Sequence, residues 1–242
     1  MLLNRDDGAV VSDVRIGLGY TAVALDDGRG GVAFTFREHA KGGCSVFRKL
    51  RPLTGRHPSE LVALLPSDDP IEAAVGLACA NALINVESPG LQEGDVLRRL
   101  DLRPDDHVGM VGHFGPLVEI LDRTAHRLTV FERAPRASRG SRPAEEAEDI
   151  LPTCQVAFIT ATSIINHTMD QLLEAASNCR EVVILGASTP LLPEVFFSRN
   201  VTLLSGVIVL KPRGVLQIVS EGGGMQQFGS NIRKVCVREK KT

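Results

Sequence analysis

The chain has 242 residues, 43% of them apolar, and a formal net charge of −2 at pH 7. That is enough apolar chain for one large domain or two small ones. The near-neutral charge, with no long basic run, excludes the electrostatic footprint of a nucleic-acid binder.

Aromatic residues are few, with no Trp, one Tyr and nine Phe. The core must therefore be built of Val, Leu, Ile and Ala, as parallel sheets favour. Residues 12–25 (SDVRIGLGYTAVAL) read as one strand, 26–31 (DDGRGG) as a turn and 32–36 (VAFTF) as a second strand, together a hairpin. Residues 37–47 are irregular and polar. A short helix starts at Pro58-Ser59 and is stopped by Pro66 and the Asp68-Asp69-Pro70 cluster. Residues 71–85 (IEAAVGLACANALIN) predict a stronger helix, capped by Asp68 or Asp69 ahead of Pro70. It is apolar nearly all round, so it should be buried. Residues 86–106 read as a polar linker with a short helix.

From residue 107 the pattern alternates. Strands are expected at 107–112, 126–133, 154–162, 179–188 and 201–210. Helical segments fall at 116–124, 143–152, 168–178, 190–200 and 214–224. Such alternation predicts an α/β fold, a parallel sheet with right-handed crossovers.

Open parallel sheets bind ligands outside the carboxyl ends of their strands. Gly112-His113-Phe114-Gly115 follows the first of these strands and Glu132-Arg133 the second. Thr160, Thr162, Ser163 and Asn166 follow the third, and Ser188-Thr189-Pro190 the fourth. Glu132 stands 20 residues after Gly112 (132 − 112), about where a dinucleotide site keeps the carboxylate that holds a ribose. Against a pyrophosphate, Gly109, Gly112 and Gly115 are spaced G-x-x-G-x-x-G, and Pro116 removes a backbone donor. A ligand touching the turn through a ribose or an uncharged group stays open beside a plain tight turn. The hydroxyl residues either hold an anion or cap helices. His113 is the nearest candidate general base, since imidazole titrates near neutrality.

Glu38, His39 and Cys44 share one glycine-containing loop. Carboxylate, imidazole and thiolate together suit a divalent transition metal, although an ordinary polar loop has the same composition. Asn81 and Asn85 interrupt an apolar helix and need partners if buried. The stretch 220–230 (SEGGGMQQFGS) either folds over the cleft or is a flexible turn. The five cysteines are scattered and read as reduced, mostly buried thiols. No apolar run approaches the roughly 18 residues of a membrane span, and the start MLLNRDDGAV lacks a signal-peptide pattern. A cytoplasmic protein with neither nucleic-acid nor membrane partner is expected, with a homo-oligomer left open.

Five segments together carry a resemblance: VGMVGHFGPLVEIL, LTVFER, PAEEAEDILPTCQVAFITATSIINHTMDQLLE, VVILGASTPLLPEVFF and VSEGGGMQQF. In this order, over about residues 105–228, they resemble domain-of-unknown-function family 364. Its members carry a provisional description as heavy-metal chelation proteins. The earlier part, chiefly GLACANALIN, is similar to the enolase N-terminal-like domain that precedes this region in the family. The resemblance implies an enolase N-terminal-like α+β domain over 1–98, a Rossmann-like domain over 99–242, and a site between them. It also implies some likeness to methyltransferases. The positions carried over are Gly112, Phe114, Glu132, Thr160, Thr162, Asn166, Ser188, Thr189, Pro190 and Gly222 to Gly224, Gly223 among them. Three functions follow. One handles a metal or a metal-chelating small molecule (a metallophore, pterin or flavin-like compound). Another is transfer from S-adenosylmethionine or another nucleotide cofactor. The third is small-molecule binding without catalysis.

Overall fold

The computed structural model describes residues 8–39, 46–47, 50–94, 96–133 and 141–239. The stretch expected as one strand over 12–25 is two. β1 (Val11–Ile16) and β2 (Tyr20–Leu25) flank Gly17-Leu18-Gly19, where the Gly17 amide bonds the Tyr20 carbonyl at 2.9 Å and reverses the chain. With β3 (Gly30–Phe34) they form an antiparallel sheet in the order β1-β2-β3. β-branched residues run through both arms of the turn, which is why the sequence reads as one strand.

α1 (Pro58–Val62) and α2 (Pro70–Ile84) follow. Asp69 caps α2, accepting from the Ile71 amide at 2.9 Å, and Pro70 takes the first helical position, where no amide is needed. Every residue of α2 from Ala73 to Ile84 is buried, as its unbroken apolar surface requires. β3 lies directly on this helix. A Cβ on Gly31 would stand 2.2 Å from the Ala78 carbonyl and 2.3 Å from the Ala82 amide, so only glycine permits the approach.

The second sheet has eight strands. They are β4 (Gln92–Glu93), β5 (His107–Val111), β6 (Arg127–Glu132), β7 (Ser141–Pro143), β8 (Val156–Thr160), β9 (Glu181–Leu185), β10 (Leu203–Val209) and β11 (Ile232–Arg238). Their order is β4-β11-β10-β9-β8-β5-β6-β7. The run from β10 to β7 is parallel, while β11 and β4 are added antiparallel. Counted in chain order, the parallel strands lie 3-2-1-4-5-6, the order of doubly wound nucleotide-binding sheets. The expected alternation is present, with α3 (Gly115–Thr124), α4 (Ala147–Ile150), α5 (Met169–Ala175), α6 (Pro193–Phe196), α7 (Pro212–Ser220) and α8 (Met225–Phe228). Three strands lie outside the expected set. β7 and β4 are too short to show a period, and β4 draws part of the expected linker into the large sheet. β11 alternates only loosely, with Ile232, Val235 and Cys236 buried.

One apolar cluster is continuous from Val11 and Leu25 through α2 to Ile159, Leu173, Ile184 and Val235. The small sheet, α2 and one face of the large sheet therefore share a core. The other face is built on Val108, Met110, Phe158, Val183 and Leu203. Among the described residues no helix is long and apolar enough to cross a membrane.

Candidate functional site

β3 and the residues after it run along the carboxyl edge of the large sheet. At its start, a Cβ on Gly30 would lie 3.1 Å from Val209 and Pro212, at the end of β10. At its end, the Phe34 amide donates to Ser188 Oγ at 2.8 Å, in the turn after β9. Two residues on, Phe36 lies under the Arg133 guanidinium, 5.6 Å from its ring centre, just past the end of β6. β8 and β5 stand between β9 and β6 in the sheet order, so Phe34 and Phe36 meet partners on either side of them. Phe34 and Phe36 pack edge to face at 5.0 Å, and Tyr20 and Phe228 extend the aromatic row behind Phe34. Burial raises the pKa of the Tyr20 hydroxyl.

The ends of β5, β8 and β9 meet around Phe114, which packs against the apolar cluster of the other face of the sheet. Gly112 follows β5 with φ +89°, a conformation that favours glycine. A Cβ there would lie 3.0 Å from Thr160 Cβ and 3.6 Å from the Phe114 ring. A Cβ on Gly186, after β9, would lie 3.8 Å from the opposite edge of that ring. Phe114 thus sits over the point where the strand order reverses. Thr160 Oγ1 and Thr162 Oγ1 are 3.0 Å apart, and the Thr162 amide leans toward Thr160 Oγ1 at 3.4 Å. Gly112, Phe114, Thr160, Thr162, Gly186 and Glu132 are all half-buried, so solvent reaches each of them.

Ser188, Thr189 and Pro190, expected as ligand contacts, are instead buried. They join the small sheet and α2 to the large sheet. Asn81 Nδ2 donates to the Val32 and Ser188 carbonyls at 2.9 and 3.1 Å. Asn85 Nδ2 donates to the Thr189 and Val207 carbonyls at 2.9 and 3.2 Å, and Asn85 Oδ1 accepts from the Leu191 amide at 2.8 Å. One helical turn thus presents two amides to the backbone of the turn that carries Gly186.

The other expected residues are spread out. His113 is exposed. Asn166 Oδ1 accepts from the Thr168 hydroxyl and amide at 2.6 and 3.2 Å, a local turn. Gly223 closes α7, its amide on the Ile218 carbonyl at 2.8 Å. The neighbouring Gly222 and Gly224 pack on Leu18 and Tyr20, so this loop leans on the small sheet. Glu38 is exposed in the short turn Arg37–His39, and Cys44 lies outside the described residues. Among the described residues no three His, Cys, Asp or Glu side chains form a metal-holding group. Two open hollows, of about 590 Å³ by Val14, Ile16 and Leu53 and about 360 Å³ by Glu93 and Arg98, lie away from the carboxyl edge. Sequence reasoning missed Phe34, Phe36 and Gly186, while Arg133 was placed at the carboxyl edge without a role. The only signal was the FTF triplet ahead of Arg37, since the crossing of β3 is set by tertiary packing.

Residues 95–238 match the model of domain-of-unknown-function family 364, described as "Putative heavy-metal chelation". The chain belongs to this family. Residues 1–84 match the model of family 4213, which has the same description. An uncharacterised protein of Methanocaldococcus jannaschii is 26% identical over 220 residues, covering 87% of this chain and 83% of that protein. A family 364 crystal structure from Desulfitobacterium hafniense, of unknown function, aligns with a TM-score of 0.82 at 25% identity. Another, from Pyrococcus horikoshii, aligns with 0.85 at 24% identity. Each alignment covers 98% of this chain and 96% of the other, so the likeness in fold to these two proteins spans both sheets.

Proposed function

We propose that this family 364 protein handles a heavy metal through a small chelating molecule, held between the β3 crossing and the carboxyl edge of the large sheet. The observation that carries the reading is the half-buried set of Gly112, Phe114, Thr160 and Gly186 gathered at the carboxyl edge of the large sheet. Aromatic faces stack on a planar conjugated ligand. The Thr160 and Thr162 hydroxyls supply hydrogen bonds, and Arg133 supplies positive charge for the anionic donors of a chelator. Glu38, two residues past Phe36, is a candidate oxygen donor to the metal.

Glu132 favours a second reading, transfer from a nucleoside cofactor such as S-adenosylmethionine. It ends the strand beside β5, where a carboxylate accepts from ribose hydroxyls.

Calorimetry separates the two. The probes are S-adenosylmethionine, a divalent metal alone, and a pterin with and without that metal. The first reading expects heat with the pterin–metal pair, weakened at least tenfold by Phe114→Ala. The second expects heat with S-adenosylmethionine, lost in Glu132→Ala. Silence from every probe overturns the placement of the site.

A further inference from the structure

The amino end of the parallel sheet carries two thiols. β8 pairs with β9 at an offset of 25 residues, Val156 beside Glu181 (181 − 156). The same offset sets Cys154 beside Cys179 (179 − 154), just before each strand begins. Below the ladder the regular pairing stops, the Arg180 and Glu181 amides sharing the Gln155 carbonyl at 2.8 and 3.3 Å and the Cys179 amide turning to the Ala176 carbonyl. Both cysteines belong to one core cluster. Their thiols donate to the carbonyls of consecutive residues, Cys154 to Ile150 and Cys179 to Leu151, each at 3.5 Å. Thr153, Gln155, Ser177 and Asn178 beside them are exposed, so the thiols lie a single residue beneath solvent.

We propose that Cys154 and Cys179 form a two-coordinate site for one soft, thiophilic metal ion such as Cu(I) or Ag(I). The two thiols converge on consecutive carbonyls, where one ion with two metal–sulfur bonds of about 2.3 Å can bridge them. Thiolates select soft ions. On binding, two S–H bonds break, two metal–sulfur bonds form, and two protons leave to solvent. The oxidation states do not change. Burial pushes Cys154 up to about 11 and Cys179 up to about 12, with Cys154 itself a further cause for Cys179. The empty pair is therefore protonated, and a cation between two thiolates relieves their repulsion. The charge of Arg127 also acts on Cys154 and balances the anionic bis-thiolate. The site lies at the opposite end of the strands from Phe114, so it does not rest on the function proposed above.

The test titrates reduced full-length protein with Ag(I), or with Cu(I) from a weak chelator, and counts bound ions by native mass spectrometry. One tightly held ion is expected. Because two protons leave, its apparent affinity should rise about a hundredfold per unit of pH below the thiols' own range, once the competitor's titration is subtracted. A single thiol gives only about tenfold. Cys154→Ala and Cys179→Ala should each weaken binding at least a hundredfold, while alanine at Cys79 or Cys236 leaves it unchanged. X-ray absorption on the wild type should find two sulfur neighbours, a result independent of whether the variants fold. A tenfold slope, a single sulfur neighbour, or unchanged affinity in both variants overturns the proposal.

Discussion

Asn85→Ala tests the join between the small and large sheets. Asn85 is 3% exposed and makes three hydrogen bonds, to the Thr189 and Val207 carbonyls and from the Leu191 amide. Truncation strands buried backbone groups, each at a cost of about 1–3 kcal/mol. Val207 lies in a ladder, so its loss counts least. The sum is about 3–5 kcal/mol, a large part of the roughly 5–15 kcal/mol that holds a folded domain. Urea denaturation measures it directly. In a thermal melt a chain of this size should lose about 10 °C, at roughly 2–4 °C per kcal/mol. Asn85→Asp sharpens the reasoning. A protonated Asp can donate to Thr189 and accept from Leu191, but its ionised form cannot donate. Burial raises its folded pKa above the roughly 3.9 of an unfolded chain. Its contribution is then fully present below that value and lost as pH rises through the folded one. The gap between wild type and this variant should widen from acid toward neutral pH. A loss below about 1 kcal/mol in Asn85→Ala, or a gap that does not change with pH, refutes the argument.

Gly31→Ala should cost about 3 kcal/mol, because its Cβ meets backbone atoms of α2 that have no room to yield; an unchanged urea midpoint would mean that β3 does not lie there. Gly112→Ala, at positive φ and 3.0 Å from Thr160 Cβ, should lose about 2 kcal/mol and weaken any ligand that binds the carboxyl edge, read by the same calorimetry. His107 donates to or accepts from Thr129 at 2.9 Å, and burial, then Arg127, lowers its pKa. A depressed folded value gives stability that is present above the ordinary value near 6.5 and lost as pH falls through the folded one. The stability advantage of wild type over His107→Gln should therefore shrink on acidification, and a constant advantage would contradict the assignment.

The doubly wound core was legible, β7 apart, because each other parallel strand from 107 to 210 is a short apolar run between turn residues, followed by a helix-forming stretch. Gly112, Phe114, Thr160 and Thr162 were legible for a topological reason, since parallel strands end on one edge whatever their order. Ser188 and Thr189 follow the same rule yet are buried, because β3 crosses the edge there and takes the Ser188 hydroxyl for the Phe34 amide. No local pattern announces that crossing. It depends on Gly31 meeting α2 and on two asparagines whose partners are about a hundred residues away. Cys154 and Cys179 look scattered for a similar reason, since only the register of β8 on β9 makes them neighbours.

α2, buried on every side, has a practical consequence. A helix with no wet face cannot end the folding of the segment that contains it, because the rest of its surface must come from elsewhere. Pro89 and Gly90 are exposed, so a nick between them would leave two fragments, each lacking the surface that completes it. Mixed in solution, the pieces should reassemble by complementation. Fused to two halves of a reporter, they would make a split pair whose light output tracks the encounter of whatever proteins carry them.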